Sequence, residues 1–268
     1  MSEATKPLSG RTAVVTGTGP NIGAGIAIEL AAAGARVWAL DYELSHAEHC
    51  AEDIRRAGGW ASPLRCDVAD PEDVARAFAA VEADQSADIL VNGAAIYVEK
   101  GLLAMSPQEW TRQVGVILTG AFLMTKHFAA PMADRGEGCV INLASTAAYQ
   151  GQAGNIGYSS AKGGILNFTR SAATELAARG VRVNTLTPTA TATVEFSERA
   201  ERWGVEPPGE EGLARRERSR SLIPMQRLPE PHDYGRAAVF LASDDARMIT
   251  GTDLRVDAGA TARYWASR

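Results

Sequence analysis

The sequence is poor in cysteine and contains no long block of like charge. Its three cysteines, Cys50, Cys66 and Cys139, lie far apart, and none belongs to a CxxC or Cys/His group. Such spacing predicts neither a disulfide framework nor a metal site. The net charge is −5 and the basic residues are scattered, which argues against a nucleic acid partner.

Long apolar runs are also missing. No apolar segment approaches the ~20 residues that a membrane helix needs. The first six residues are polar and contain no apolar signal core. We therefore expect a cytoplasmic protein that does not bind a membrane.

Short apolar strands alternate with helical segments along the chain. Such strands indicate a parallel sheet covered on both faces, and right-handed crossovers then give a Rossmann-like, doubly wound α/β fold. No internal repeat or linker is visible, so we predict a single domain over residues 1–268. The predicted strands are 11–17, 35–40, 61–66, 88–92, 139–143, 182–186 and 254–256, and the predicted early helices are 22–33, 45–57 and 71–83.

Residues 189–228 interrupt this alternation and are called the lid segment here. They are rich in Glu and Arg and contain Pro207-Pro208. The segment is either a substrate lid or, for most of its charges, a solvated helical face. Glu and Arg are mixed too evenly to favour an anionic or a cationic ligand.

A glycine-rich turn follows the first strand, from Thr16 to Gly25. Glycines there let backbone amides and a helix N-terminus approach a pyrophosphate, although ordinary tight turns look similar. Its position between a strand and a helix favours a dinucleotide site. The expected contacts from this turn are Gly17, Asn21, Ile22 and Gly23.

Asp41 lies eighteen residues after Gly23, at the end of the second strand. A carboxylate there accepts hydrogen bonds from ribose hydroxyls and repels a 2′-phosphate, whereas helix capping is its ordinary role. The turn Thr18-Gly19-Pro20 carries no Arg or Lys to hold a phosphate. NAD is therefore predicted rather than NADP.

Tyr158 and Lys162 lie four residues apart, on one face of a predicted helix. A free tyrosine has a pKa of about 10, and a neighbouring ammonium group would lower it enough for acid–base catalysis. Taken alone, such a pair is usually a surface pair. Ser145, thirteen residues before Tyr158, follows a strand and is expected where this fold binds ligands.

Over nearly its whole length the chain resembles the short-chain dehydrogenase/reductase family. Several ordered motifs at family spacing are far more specific than any one of them. The motifs that carry the resemblance are the 16–25 turn, Asp41, Cys66-Asp67-Val68, Leu90-Val91-Asn92, Ser145, Tyr158 with Lys162, Arg182-Val183-Asn184, Pro188 and residues 251–257.

The resemblance implies that Tyr158 is the general acid/base, that Ser145 orients the substrate oxygen, and that Lys162 tunes Tyr158 and binds the nicotinamide ribose. It also implies a homotetramer. The four-residue Tyr/Lys spacing is unlike that of the enoyl-reductase branch, so a carbonyl substrate is expected. The further cofactor contacts that it implies are Asp67, Val68, Asn92, Gly93, Pro188, Thr189, Thr191 and Thr193.

We thus expect an NAD-dependent enzyme that interconverts a secondary alcohol and a ketone. The alternatives are a catalytically decayed cofactor-binding regulatory protein and an NADP-dependent carbonyl reductase. By position, Tyr149 and Gln152 are expected to line the substrate pocket, although both could be ordinary loop residues. Ile96, Tyr97 and Trp203 are further pocket candidates.

Four positions depart from the family pattern. Asn21 and Thr189 replace glycines, and we expect Asn21 to be tolerated because Asn adopts left-handed backbone readily. Gly93 stands where Asn is usual. Ile117 replaces an Asn that helps to hold a water beside the catalytic lysine, so the sequence predicts an active enzyme with an altered proton relay.

Overall fold

A computed structural model describes residues 6–192, 194–206 and 209–262 of the chain. One seven-stranded sheet has the order β3-β2-β1-β4-β5-β6-β7, and every neighbouring pair is parallel. The predicted Rossmann-like fold and all seven strands are confirmed. The strands are β1 Thr12–Thr16, β2 Arg36–Asp41, β3 Trp60–Arg65, β4 Ile89–Asn92, β5 Gly138–Leu143, β6 Val181–Pro188 and β7 Asp253–Val256.

Helices cover both faces of the sheet. The α-helices are α1 Ile22–Ala32, α2 Leu44–Arg56, α3 Pro71–Asp84, α4 Pro107–Val114, α5 Gly120–Arg135, α6 Ile156–Leu176, α7 Val194–Arg202, α8 Glu210–Leu222 and α9 Pro231–Ala242. Short 3-10 turns at Thr146–Ala148, Ala177–Arg179 and Asp244–Ala246 complete the connections.

The central strands are buried on both faces, as the apolar runs predict. All five residues of β1 are buried, and their side chains alternate between two cores because a strand has a period of two. Val15 packs in the core that contains Leu30 and Tyr234. Val14 packs in the opposite core, with Phe128.

One continuous helix runs from Pro107 to Arg135, because a π-helical turn at Gly115–Thr119 joins α4 to α5. Its length and a mean hydropathy of 1.2 over its most apolar window meet the criteria for a membrane span. The helix still contains no uninterrupted apolar run of ~20 residues, because Lys126 and His127 lie within it. Met124 and Phe128 are fully buried against the sheet, and core packing accounts for the apolar face of this helix.

The lid segment contains two helices, α7 and α8, which lie beyond the carboxyl end of β6. None of the residues of α8 is buried, as a solvated helical face requires. In contrast, α7 buries Arg199 and Ala200. The interpretation as solvated charge therefore holds for most of the segment but not for α7.

Candidate active site

The turn between β1 and α1 is held by close contacts between backbone atoms. Gly17 has a left-handed φ of 74°, and a Cβ there would lie 2.7 Å from Cα of Ala94. A Cβ on Gly23 would lie 1.9 Å from the carbonyl oxygen of Gly17. Oγ1 of Thr16 accepts hydrogen bonds from the N–H groups of Gly93 and Ala94, at 3.1 and 3.3 Å. Only glycine fits at these positions of the turn.

Because the turn packs closely against the loop after β4, the N-terminus of α1 faces a groove along the carboxyl edge of the sheet. The first turn of α1 contains no acidic residue, so its dipole and free N–H groups are suited to a pyrophosphate. The predicted cofactor residues that line the groove are Gly17, Asn21, Ile22, Gly23, Asp41, Asp67, Val68 and Gly93.

Asp41 lies in the groove with its carboxylate partly committed to the backbone. Oδ1 accepts a hydrogen bond from the N–H of Glu43 at 3.0 Å and lies 3.6 Å from Nδ1 of His46. Burial raises the pKa of Asp41, against the effect of its hydrogen bonds. The groove also contains one cation that the sequence did not single out, Arg112, whose guanidinium pairs with Asp67 at 3.0 Å.

The structure bears on two departures from the family pattern. The turn forms with Asn21 as expected, but its φ of −102° is not left-handed, so a tolerance for left-handed backbone is not the reason. Its Oδ1 is buried without a hydrogen-bond partner in the described chain. Gly93 is required here because a Cβ would lie 2.6 Å from the carbonyl oxygen of Thr16, and an Asn at that position would force the backbone apart.

Asn92, a predicted cofactor contact, does not line the groove. Its side chain is buried, and Nδ2 donates hydrogen bonds to Oγ1 of Thr125 and Oδ1 of Asn142, at 3.1 and 2.7 Å. Asn142 in turn donates to Thr169 at 2.9 Å. These bonds tie β4 and β5 to α5 and α6.

Ser145, Tyr158 and Lys162 converge at the carboxyl end of β5. Oγ of Ser145 accepts a hydrogen bond from the N–H of Ala147 at 3.1 Å and is hydrogen-bonded to Tyr158. Burial raises the pKa of Tyr158, and the bond to Ser145 opposes that shift. Lys162 is 3% exposed, and its Nζ donates to the carbonyl of Leu143 at 2.5 Å.

Burial lowers the pKa of Lys162 to about 7. Its Nζ lies 5.7 Å from the centroid of the Tyr158 ring, and the raised pKa of Tyr158 is caused chiefly by burial. In these surroundings the burial of Tyr158 outweighs the lowering of its pKa that a neighbouring ammonium group would produce. Ile117 is buried in the π-helical turn, in an apolar cluster that contains Ala161 and borders Tyr158.

A second pocket is lined by Ser145 and Tyr158 but not by the buried Lys162, and it opens onto the groove through shared residues such as Asn21 and Ile96. The ring of Tyr97 packs edge-on against Tyr158, with 5.5 Å between centroids. Gln152 lies in this pocket, where Oε1 accepts a hydrogen bond from Asn155 at 2.9 Å. Other predicted residues that line it are Ser145, Tyr158, Thr189 and Thr191.

Three sequence-predicted residues lie elsewhere, and a fourth is not among the described residues. Tyr149 is not a lining residue, because its hydroxyl donates to Oδ2 of Asp253 at 2.6 Å and faces β7. Trp203 is buried against His49, with 5.5 Å between ring centroids. Pro188 forms the last pair of β6 with β7 and lines neither cavity. Thr193 lies outside the described residues.

The sequence reasoning missed three arginines of the lid segment. Arg215 and Arg216 of α8 line the pocket that contains Tyr158. Arg199 of α7 is 4% exposed and donates to the carbonyl of Pro20, in the glycine-rich turn, at 2.8 Å. Glu195, one helical turn before Arg199, is paired with it. That i, i+4 spacing was the available signal, but it is equally common on solvated helices.

Comparison with known proteins gives consistent matches over nearly the whole chain. A family model described as enoyl-(acyl carrier protein) reductase matches residues 17–261. The chain is 38% identical over 255 residues to D-threitol dehydrogenase of Mycolicibacterium smegmatis, with 95% of this chain and 94% of that protein covered.

Solved structures agree with this result. A candidate short-chain dehydrogenase/reductase from Burkholderia xenovorans has a TM-score of 0.87 at 36% identity, covering 97% of this chain and 99% of that one. A candidate NAD(P)-dependent gluconate 5-dehydrogenase from Beutenbergia cavernae, with NADP bound at low occupancy, has a TM-score of 0.85 at 33% identity. That match covers 97% of this chain and 100% of the other.

The buried bond from Arg199 to Pro20 predicts a role in stability. We expect Arg199→Met to lower the free energy of unfolding by about 1–3 kcal/mol, because it leaves Glu195 and a backbone carbonyl without their donor. Arg202→Met on the same helix is the matched control. Arg202 is exposed and pairs with Asp53, so its loss should cost at most about 1 kcal/mol. Urea unfolding measures both, and equal losses would contradict the assignment.

Proposed function

This chain belongs to the short-chain dehydrogenase/reductase family and is an oxidoreductase that acts on CH–OH groups, and we propose that its cofactor is NAD and its general acid/base Tyr158. One observation carries the proposal. Ser145 and Tyr158 line a pocket that opens onto a groove containing the glycine-rich turn and Asp41, and Lys162 lies buried one helical turn after Tyr158.

The groove fits a dinucleotide on its own geometry. Side chains at Gly17 and Gly23 would collide with backbone, and their absence leaves the amino end of α1 accessible. The carboxylate of Asp41 supports NAD because it would repel a 2′-phosphate. Bound NAD supplies the hydride acceptor for alcohol oxidation, and NADH the donor for the reverse reaction.

The chain's own residues then handle the substrate oxygen and its proton. Oγ of Ser145 is placed to donate a hydrogen bond to that oxygen. The hydroxyl of Tyr158 exchanges the proton with it, giving the proton during reduction and taking it during oxidation. The raised pKa of Tyr158 keeps it protonated at neutral pH, which suits donation to a developing alkoxide.

NADP is the second candidate cofactor, because a specific observation favours it. Arg112 lines the groove beside Asp67, and the Beutenbergia structure contains NADP. We favour NAD because Asp67 already neutralises Arg112 and the turn itself contains no cation. The names of the relatives do not decide the substrate, since threitol is neutral and gluconate is an anion.

The first test follows the absorbance of the reduced nicotinamide with NAD or NADP and a panel of secondary alcohols. We expect turnover with NAD, a lower KM for NAD than for NADP, and a loss of at least about 100-fold in kcat in Tyr158→Phe, which lacks the proton donor. Tyr149→Phe is the matched control, since that hydroxyl faces Asp253. Unchanged turnover in Tyr158→Phe would refute the acid/base role, and a lower KM for NADP would refute the cofactor assignment.

The proton relay gives a pH-dependent prediction. Lys162 is charged below its pKa of about 7 and neutral above it, because burial penalises the ammonium form. The polar side chain that Ile117→Asn introduces should raise the pKa of Lys162. Lys162 then stays charged to higher pH, and we expect kcat at alkaline pH to increase several-fold.

The pH profile of kcat measures this shift, and Ile117→Val is the control of similar apolar character. Ile117→Asn should move the profile upward in pH, and Ile117→Val should not. A profile and rate identical to those of the parent would mean that the missing Asn does not limit turnover.

We also propose a homotetramer. Large apolar side chains are exposed along the α4–α5 helix and the loop before it, including Leu103, Trp110 and Phe122. Apolar surface of this kind commonly marks a subunit interface. Light scattering should give four times the chain mass of 28.3 kDa, and the mass of a single chain would contradict the proposal.

A further inference from the structure

The substrate pocket is positively charged in a negatively charged protein. Arg215 and Arg216 line it together with Ser145 and Tyr158, and none of the described residues that line it is Asp or Glu. The whole chain has a net charge of −5. The cations of this pocket are therefore a local feature.

The helical periodicity of α8 determines which of its charged side chains face the pocket. Arg215 and Ser219 are four residues apart, so they share the face that lines the pocket. Glu217 is absent from that lining and pairs instead with Arg220, whose Nε lies 2.8 Å from Oε2. Glu and Arg are mixed evenly in the sequence of the helix, but its only charged side chains that line the pocket are those of Arg215 and Arg216.

Arg216 is held in place without a carboxylate partner. Its Nε donates to the carbonyl of Thr191 at 3.1 Å, which leaves the two terminal nitrogens of the guanidinium for another acceptor. No ion pair to Arg216 occurs in the part of the chain that the structure describes. Burial and the nearby charge of Arg215 both lower the pKa of Arg216, so an anion between them would relieve an unfavourable arrangement.

Arg215 is less constrained. Its nearest acidic neighbour is Glu99, at 3.5 Å, and both side chains are more than half exposed. An exposed pair of this kind contributes little and is easily exchanged for another partner. Arg215 can therefore turn to a ligand at low cost.

We propose that the substrate is a secondary alcohol or ketone that carries an anionic group, a carboxylate or a phosphate, bound by Arg215 and Arg216 while the reacting carbon lies at Ser145 and Tyr158. Guanidinium groups bind both anions through paired N–H donors. This inference rests on the proposed function, since it assigns one end of the pocket to the reacting oxygen.

The test compares pairs of substrates of which one carries the anionic group and the other is neutral. Lactate, β-hydroxybutyrate and mandelate are each measured against their neutral amides, and propanediol phosphate against propanediol. We expect kcat/KM to be at least about tenfold higher for the anion of a pair, as a hydrogen-bonded charge implies. A preference for the carboxylates or for the phosphate then identifies the anion.

Variants of α8 assign the effect to named residues. Arg216→Gln, and the double variant with Arg215→Gln, should lower kcat/KM for the anions about 10- to 100-fold and lower that for the neutral partners far less. Arg218→Gln is the matched control, because it removes the same charge from the same helix at a residue outside the pocket lining. An equal loss in Arg218→Gln, or equal losses for anions and neutral partners, would overturn the proposal.

Calorimetry of the protein–NADH complex provides a measurement that does not need turnover. The carboxylates or the phosphate should bind the parent and bind Arg216→Gln at least about tenfold more weakly. Absence of anion binding would overturn the inference. Weaker NADH binding by Arg216→Gln with the anion preference intact would do so too, because it would assign the arginines to the cofactor.

The results that would refute the proposed function differ from those that would refute the anionic substrate. If Tyr158→Phe retains turnover, or no alcohol is oxidised, the catalytic assignment fails while anion binding at Arg216 is still decided by calorimetry. If Tyr158→Phe is inactive but the neutral partners react as well as the anions, the function stands and the anionic substrate is refuted.

Discussion

The contact between the β1–α1 turn and the loop after β4 is the constraint on which the site depends. Gly17, Gly23 and Gly93 lack side chains where three backbone segments meet, and the hydroxyl of Thr16 holds two of those segments together. A Cβ at Gly23 would push α1 away from the turn, and a Cβ at Gly17 or Gly93 would separate β1 and its turn from the loop after β4. Because α1 directs its amino end at the groove, the anion-binding geometry follows from this packing. Arg199 binds the same turn from α7, so the lid segment is anchored to it.

Desolvation dominates the electrostatics of the catalytic trio. The pKa of Lys162 is lowered and that of Tyr158 is raised, and both shifts favour the neutral form. Ile117 contributes to this by placing an apolar side chain in the same cluster. A buried Tyr–Lys pair is therefore not by itself a charged pair, and spacing along a helix cannot replace knowledge of what surrounds it.

The lid segment has two electrostatic roles that its composition conceals. On α7, Glu195 and Arg199 form an ion pair that is largely withdrawn from solvent, and Glu195 also accepts a hydrogen bond from the N–H of His232 at 3.1 Å. On α8, the helical phase brings Arg215 and Arg216 to the pocket, while Glu217 is paired outside it. Whether a charged side chain forms a shielded ion pair or lines the pocket depends on the surface against which its helix packs.

The strands, the glycine-rich turn, Asp41 and the trio of Ser145, Tyr158 and Lys162 were evident from the sequence, because they depend on local patterns: apolar runs, glycine spacing and helical periodicity. Only the tertiary structure decided which other side chains reach the site. It removed Asn92 and Tyr149 through hydrogen bonds to residues distant along the chain, and it added Arg112, Arg199, Arg215 and Arg216. Burial is a property of the folded surroundings, and for that reason neither the pKa of Lys162 nor the charge of the pocket could be derived from residue order alone.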